Sequence, residues 1–278
     1  MKERLSVLKI IVIWLLIGVI VVLQLFPFLW MINFSLLSSN DFFGSTILKW
    51  PNPAHWQNYL DAFEHGKVPR FFLNSVFVTA MTIVTTAFIS LFMAYALTRM
   101  LWKLKTTVLS VVMIGMIIPV QTTLLANFTI FKNIGILDTY LSLILPGIAF
   151  YMPISTFILT GFLYSLQREM EEVAVIDGLN IFQLVLRIVI PLCKPAIAAI
   201  SVMVFLSSWS DFINPLTFIS SDSLKTLPFS IIQFKGLYSS NYGAQFAVLT
   251  LISLPSILIY VLFSEHITKG VMAGSVKG

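Results

Sequence analysis

The sequence predicts an all-α, polytopic membrane protein with six transmembrane helices. Three observations carry that expectation. Of 278 residues, 58% are hydrophobic and 10% charged, where an ordinary soluble chain carries about 25% charged residues. The mean hydropathy is +0.94, which leaves little polar surface to face water. Between the charged residues lie apolar runs that approach or exceed the roughly 20 residues needed to cross hydrocarbon. A segment there must close its backbone hydrogen bonds on itself, so each run is read as a helix. A soluble globular enzyme is excluded.

The first span is Ile10 to about Phe34. It follows Lys2, Arg4 and Lys9, but it is too long for a signal h-region and lacks a small-residue cleavage site, so it is expected to be retained. The second runs from Phe71 to Leu97, the third lies between Lys105 and Lys132, and the fourth between Asp138 and Arg168. The fifth begins near Pro195 and continues to about Ile219, interrupted by Asp211; the sixth runs from about Gly243 to Ser264. Trp14, Trp30, Trp50, Trp56 and Tyr59 fit interfacial anchoring, and core packing explains single Trp residues equally well. Pro119, Pro146 with Gly147, and Pro255 fall inside spans. Each is read as a kink, either an ordinary one or the wall of a cavity. The expected organisation is an N-terminal tail over 1–9, one membrane domain over 10–268 and a C-terminal tail over 269–278.

Seventeen Lys plus Arg stand against twelve Asp plus Glu. No basic cluster is interleaved with aromatics, so nucleic acid is not an expected partner. With six spans both termini share a side. Lys2, Arg4, Lys9, Arg99, Lys103, Lys105, Arg168, Arg187, Lys194, Lys269 and Lys277 fall on that side, eleven against six on the other. The excess places both termini, and the segment 167–195, in the cytoplasm, and the segment 35–70 outside. Outside, the run from Trp50 to Pro53 reads as a turn, followed by a short amphipathic helix from Trp56. His55, Asp61, Glu64 and His65 there read as a solvated face rather than a metal site. The single Cys193 excludes an intrachain disulfide, and three scattered histidines leave no metal centre.

The 167–195 segment carries the most information. Glu169, Glu171 and Glu172 crowd a helix start, where the dipole favours anions. Met170, Val173, Ala174 and Asp177 are spaced for one face. Gly178 stops that helix in a left-handed position. Asn180 caps a second helix, on which Phe182, Leu186 and Val189 share a face and which Pro191 ends. The result is helix, glycine turn, helix: either a surface element packed on the bundle or a docking surface whose small residues, Ala174 and Gly178, admit a close partner.

The residues Glu171, Glu172, Ala174, Asp177, Gly178, Phe182, Pro191, Leu192 and Pro195 resemble the EAA signature of ABC importer permeases. The Ile-Asp-Gly and Pro-Leu-x-x-Pro variant resembles the carbohydrate-uptake class, in particular the shorter permease subunit of maltose-type and multiple-sugar importers. Val173 stands where the signature has its second Ala, Ile190 replaces the usual Leu, and Ser210 stands where many members have Asn. Asn74-Ser75, the run Ala94 to Arg99, Ile118 to Gln121, Leu137 to Thr139, Trp209 to Phe212 and the ending Ala273 to Gly278 are similar too. The resemblance covers the chain from about Phe71 onward.

That resemblance implies a permease subunit of a bacterial ABC sugar importer in the cytoplasmic membrane. It implies a second, non-identical permease, an ABC ATPase dimer that binds ATP and Mg, an extracellular solute-binding protein and an oligosaccharide substrate. The chain itself is then no enzyme and holds no cofactor, in keeping with its lack of a Gly-x-x-x-x-Gly-Lys-Ser/Thr loop. Residues expected to couple to the ATPase are Glu171, Glu172, Ala174, Asp177, Gly178 and Phe182. Gln121, Asn127, Trp209, Asp211 and Asn214 are the candidates for the substrate path, as aromatic or hydrogen-bonding types suited to sugar. An ion-coupled secondary carrier is the alternative; it needs a titratable group within the spans, and Asp211 is the one acid there.

Overall fold

A computed structural model describes residues 2–42, 49–236 and 240–275. Val276, Lys277 and Gly278, the end of the family-like tail, lie outside them. The helices are α1 (Lys2–Ser35), α2 (Gln57–Glu64), α3 (Val68–Arg99), α4 (Lys105–Gly115), α5 (Leu124–Asn133), α6 (Leu141–Ser165), α7 (Glu169–Ile176), α8 (Ile181–Leu184), α9 (Ile190–Leu192), α10 (Lys194–Trp209), α11 (Ile213–Phe218) and α12 (Tyr242–Ser275). Short 3-10 turns join several of them. Among the described residues the one β feature is an isolated bridge between Lys235 and Ser240.

Among the described residues, four helical stretches are long and apolar enough to cross a membrane: Lys9–Ser35, Val68–Arg99, Leu141–Ser165 and Tyr242–Ser264. Two further candidates are broken. Lys105–Gly115 and Val120–Asn133 meet at 94°, and Ile181–Leu192 and Lys194–Trp209 at 79°. The expected third span is therefore not a straight helix. Pro119 sits in its break with an extended backbone (ψ 133°), a conformation its ring permits and a helix does not. In the expected fifth span α10 stops at Trp209, Asp211 lies in the gap, and α11 carries the run on to Phe218.

The chain forms two compact units, one of Met1–Pro69 with Ser230–Ser253, the other of Arg70–Phe229 with Leu254–Gly278. In the first, Asn58 is 1% exposed. Its amide donates to the Ser35 and Leu37 carbonyls (2.9 and 2.8 Å), which are orphan acceptors at the end of α1. Phe34, Phe42 and Phe246 pack edge and face around the same end, with centroids 4.6 to 5.4 Å apart. The expected outer helix is α2, which buries Asn58 and Ala62 and exposes Trp56, Leu60 and Phe63.

The second unit is organised on α3. Its 32 residues span about 48 Å at 1.5 Å per residue, more than a hydrocarbon core of about 30 Å. One face carries Ser75, Thr79, Thr82, Thr86 and Ser90, three or four residues apart and all buried. Lipid tails are as apolar as Leu, so helices gain nothing by hiding Leu from lipid and instead meet through small residues. Gly147 of α6 is one such contact: a Cβ there would lie 2.9 Å from the Thr82 methyl. Nearer the other end of α3, the Ser90 hydroxyl donates to the Met152 carbonyl at 3.3 Å.

Candidate functional site

The 167–195 segment is built as helix, glycine turn, helix. Glu169, Glu171 and Glu172 occupy the first turn of α7. At its end the Gly178 N–H donates to the Val175 carbonyl (3.0 Å) and the Leu179 N–H to Ala174 (3.1 Å), a Schellman closure. Gly178 has φ +84°, yet a Cβ there would meet nothing within 4 Å. The left-handed backbone, not lack of room, selects glycine. Asn180 then accepts from the Gln183 N–H (3.0 Å) while the Gln183 side chain accepts from the Asn180 N–H (3.1 Å), a reciprocal capping box.

Pro191 does not end the second helix. The turn Val185–Val189 widens to π geometry, with the Ile190 N–H bonded to the Val185 carbonyl. Pro191 then sits in the first turn of α9, where its missing donor costs nothing. The wide turn also shifts the register. Leu184, Val185 and Val189 are buried, whereas Phe182 and Leu186 are exposed, so the expected shared face of Phe182, Leu186 and Val189 is not formed.

The first helix divides in a similar way. Ala174 packs with Leu91, Leu159, Leu163 and Cys193 in one apolar cluster, while Met170 and Val173 face out. Glu171 turns inward with Ala174. Its carboxylate accepts from Arg99 Nε at 2.8 Å, and the two side chains are 10% and 6% exposed. Arg99 Nη2 also donates to the Leu166 carbonyl at 3.1 Å. Removing one member of a pair this buried costs about 3–5 kcal/mol, because the other charge is left without a partner. Of the residues expected to meet an ATPase, Glu172, Asp177, Gly178 and Phe182 lie at the surface, and Glu171 and Ala174 lie inside. Around the exposed four stand Met170, Val173 and Ile176, the last 83% exposed. Sequence reasoning had no role for Arg99. The signal present was a basic residue closing a long charge-free run.

A cleft runs along α6. One part is lined by Phe150, Tyr151, Ser208, Asp211 and Asn214 among others. The adjoining part, about 280 Å³, shares Phe150 and Tyr151 and adds Ser155 and Ser207. Asp211 Oδ2 accepts from the Asn214 amide (2.7 Å) and Oδ1 from the Asn214 N–H (3.2 Å), so the carboxylate secures the start of α11. Asp211 and Asn214, two of the residues expected on the substrate path, thus line the cleft. Trp209 does not: it is 2% exposed, stacked on Phe205 and edge-on to Phe72, because α10 turns its bulky end residue into the bundle. Gln121 is exposed on the turn Val120–Thr123, and the Asn127 amide bonds to the Thr123 hydroxyl (3.3 Å); neither lines the cleft, though Val120 does. Phe150 and Tyr151 were missed, since aromatics in an apolar run carry no periodic signal.

At the far end of α3 from Arg99, the segment 219–227 is fastened by the neutral side chains of Asn74 and Ser75 and by the Asp138 carboxylate. The Asn74 amide donates to the Ser223 and Lys225 carbonyls (2.9 and 2.8 Å) and its oxygen accepts from the Tyr140 hydroxyl (2.8 Å). Ser75 accepts from the Leu227 N–H (2.8 Å). Asp138, at φ +59°, accepts from the Ser220 and Ser221 amides (2.9 Å each) and from the Ser221 hydroxyl. These bonds hold its carboxyl below the usual value, the Ser221 hydroxyl most of all. Lys225 is buried, donates to the Ile219 carbonyl and lies over the Phe229 ring at 4.0 Å; burial lowers its pKa.

Comparison with known proteins agrees with this architecture. The chain is 30% identical to the sulfoquinovosyl glycerol transport system permease protein SmoH of Agrobacterium fabrum, over 94% of this chain and 92% of that one. It is 28% identical to the trehalose/maltose transport system permease protein MalG of Thermococcus litoralis, over 95% and 96%. A chain in the crystal structure of a bacterial ABC transporter involved in the import of the acidic polysaccharide alginate shares the fold, with a TM-score of 0.73 at 18% identity, covering 92% of this chain and 95% of that one. Residues 87–272, which include the 167–195 segment and the cleft residues Phe150, Tyr151, Ser208, Asp211 and Asn214, match one family. The chain belongs to that family, the binding-protein-dependent transport system inner membrane components.

Proposed function

We propose that this chain is the permease subunit of a bacterial ABC importer for an oligosaccharide, and that the 167–195 segment is the lever through which separate ATPase subunits drive it. The observation that carries the reading is the two-sided construction of that segment. Ala174 is built into the apolar cluster and Glu171 is buried against Arg99, while Met170, Val173, Ile176 and Phe182 are left exposed beside Glu172, Asp177 and Gly178. A water-facing element that merely packed on the bundle would turn those apolar side chains inward.

In this reading the exposed rim sits in a cleft of an ATPase subunit. ATP and Mg are bound there, and closure of the ATPase dimer displaces the segment. Residues 10–268 act as one permease domain with both ends in the cytoplasm, six crossings with each bent pair taken as one, and a second, non-identical permease completing the path. A solute-binding protein delivers substrate from outside. The cleft offers aromatic faces at Phe150 and Tyr151 and hydrogen-bonding groups at Ser208, Asp211 and Asn214, a set suited to sugar rings and hydroxyls. The names of SmoH and MalG support a sugar or glycoside as the cargo. Asp211 gives the ion-coupled alternative little support, since both its oxygens are engaged by Asn214.

The test is Gly178→Trp in the assembled transporter. The indole would project from the exposed rim, so the chain should insert and co-purify with its second permease while ATP hydrolysis no longer drives uptake. Wild-type uptake by this variant would overturn the reading.

A further inference from the structure

We propose that Arg99 is a positioning residue whose guanidinium makes the 167–195 segment move as one body with α3 and α6. This rests on the reading of that segment as the ATPase-driven lever. Arg99 is the last residue of α3. One arm of its fork holds Glu171 in the first turn of α7 at 2.8 Å, and another holds the Leu166 carbonyl, just past the end of α6, at 3.1 Å. Three segments therefore meet on one rigid, planar group. A lysine, with a single flexible ammonium, does not reproduce that fork.

The surroundings make the joint stiff. Both charged side chains are at least nine-tenths buried. Leu163 and Leu184 lie in the apolar cluster that also holds Tyr95 and Ala174, so on that side the pair is shielded and stronger than at a surface, while its other side borders an open cleft of about 330 Å³ lined also by Arg168 and Glu172. Glu171 and Ala174, three residues apart, then give α7 a polar and an apolar attachment on one face. With both in place the segment cannot roll about its long axis when its exposed rim is pushed. The displacement passes to α3 and α6, and α6 also carries Phe150 and Tyr151 of the cleft. The ion pair thus links the driven surface to the path through one continuous helix.

The experiment uses the complete transporter in lipid nanodiscs, with Cys193→Ala as background, ATP–Mg–vanadate as the probe and spin labels at Tyr164 on α6 and Gln183 on α8, both exposed. A separate label at Ile176 reports whether the rim is engaged. In the parent chain the 164–183 distance should stay narrow and unchanged between the nucleotide-free and vanadate-trapped states. Arg99→Glu and Glu171→Arg should each broaden it and make it differ between states. The double variant Arg99→Glu/Glu171→Arg should restore it in part, because the swap re-forms the ion pair while the introduced carboxylate cannot donate to the Leu166 carbonyl. Arg99→Lys, which keeps the charge and is the variant least prone to misfold, should give an intermediate width. Only complexes that retain the ATPase at the parental ratio are compared, so loss of fold is not scored as loss of linkage. Single variants with the parental distance, or a double variant no better than either single, would overturn the proposal while leaving the lever reading intact. An Ile176 label that stays as mobile as one on an open surface in both states of the parent complex would overturn the lever reading and this proposal with it.

Discussion

The two ends of α3 hold irregular segments in opposite ways. At the Asn74 end, segment 219–227 turns inward: Ile219, Lys225, Thr226 and Leu227 are all buried, and Asn74, Ser75 and Asp138 meet its amides, carbonyls and hydroxyl. At the Arg99 end, segment 167–195 keeps its fastening polar group inside and leaves apolar side chains out, Ile176 and Phe182 foremost. The first arrangement satisfies the loop's own surface; the second hides the anchoring group and leaves apolar side chains uncovered, which is the pattern the proposed ATPase contact would use.

That contrast predicts different failures at the two ends. The largest effect is expected for Gly178→Trp. Coupling energies of 1–3 kcal/mol correspond to about 5- to 150-fold, so solute uptake per ATP should fall by roughly tenfold or more, while stability falls only by the about 1–2 kcal/mol that a left-handed backbone costs a non-glycine residue. An equal loss of stability and uptake would break the contrast. Asp138→Ala should do the reverse. It leaves three donors without their acceptor, at about 2 kcal/mol after allowance for partial solvent access, visible as a lower unfolding midpoint in detergent with the ATP-to-uptake ratio unchanged.

Smaller effects sharpen the picture of the cleft. Asp211→Ala should cost about 1 kcal/mol through loss of the bond to the Asn214 N–H, while Asp211→Asn keeps an acceptor and costs less. If Asp211 also meets solute, Asn should lower uptake more than it lowers stability; uptake by Asp211→Asn equal to wild type would assign the residue to α11 alone. The smallest effect is pH-dependent. The Asp138 carboxyl is held below its ordinary 3.8, so its contribution is fully present above that value and is lost as pH falls through the lower folded value. Exchange of the Ser220 and Ser221 amides, corrected for intrinsic rate, should stay protected down to about pH 4 and weaken only below it. Weakening between pH 5 and 7 would contradict the assigned bonds.

Much of this was legible in the sequence. The capping roles of Asn180 and Gly178 followed from local backbone rules, and the spans from the gaps between charges. The break at Pro119 was half legible: proline announced a kink, but a 94° turn depends on what α4 and α5 each pack against. The π turn before Pro191 was not legible, because nothing in Val185–Val189 distinguishes a wide turn from an ordinary one until Leu184, Val185 and Val189 must all be buried together. Trp209 was misread as a path residue for a related reason. An aromatic beside Asp211 suits a sugar site by type, and only its packing on Phe72 and Phe205 removes it.

The sequence by itself determined a bundle of apolar helices and a helix–glycine–helix segment between two of them. Both follow from forces that act locally: the cost of unpaired backbone in hydrocarbon, the macrodipole at a helix start, and the freedom of glycine at positive φ. Only the tertiary structure decided which way that segment faces. Glu171 and Glu172 are chemically alike and adjacent, and one becomes a buried anchor and the other a surface charge. The difference is an arginine 72 residues away, which presents a charge-matched fork in a largely buried site that forms only once α3, α6 and α7 have come together.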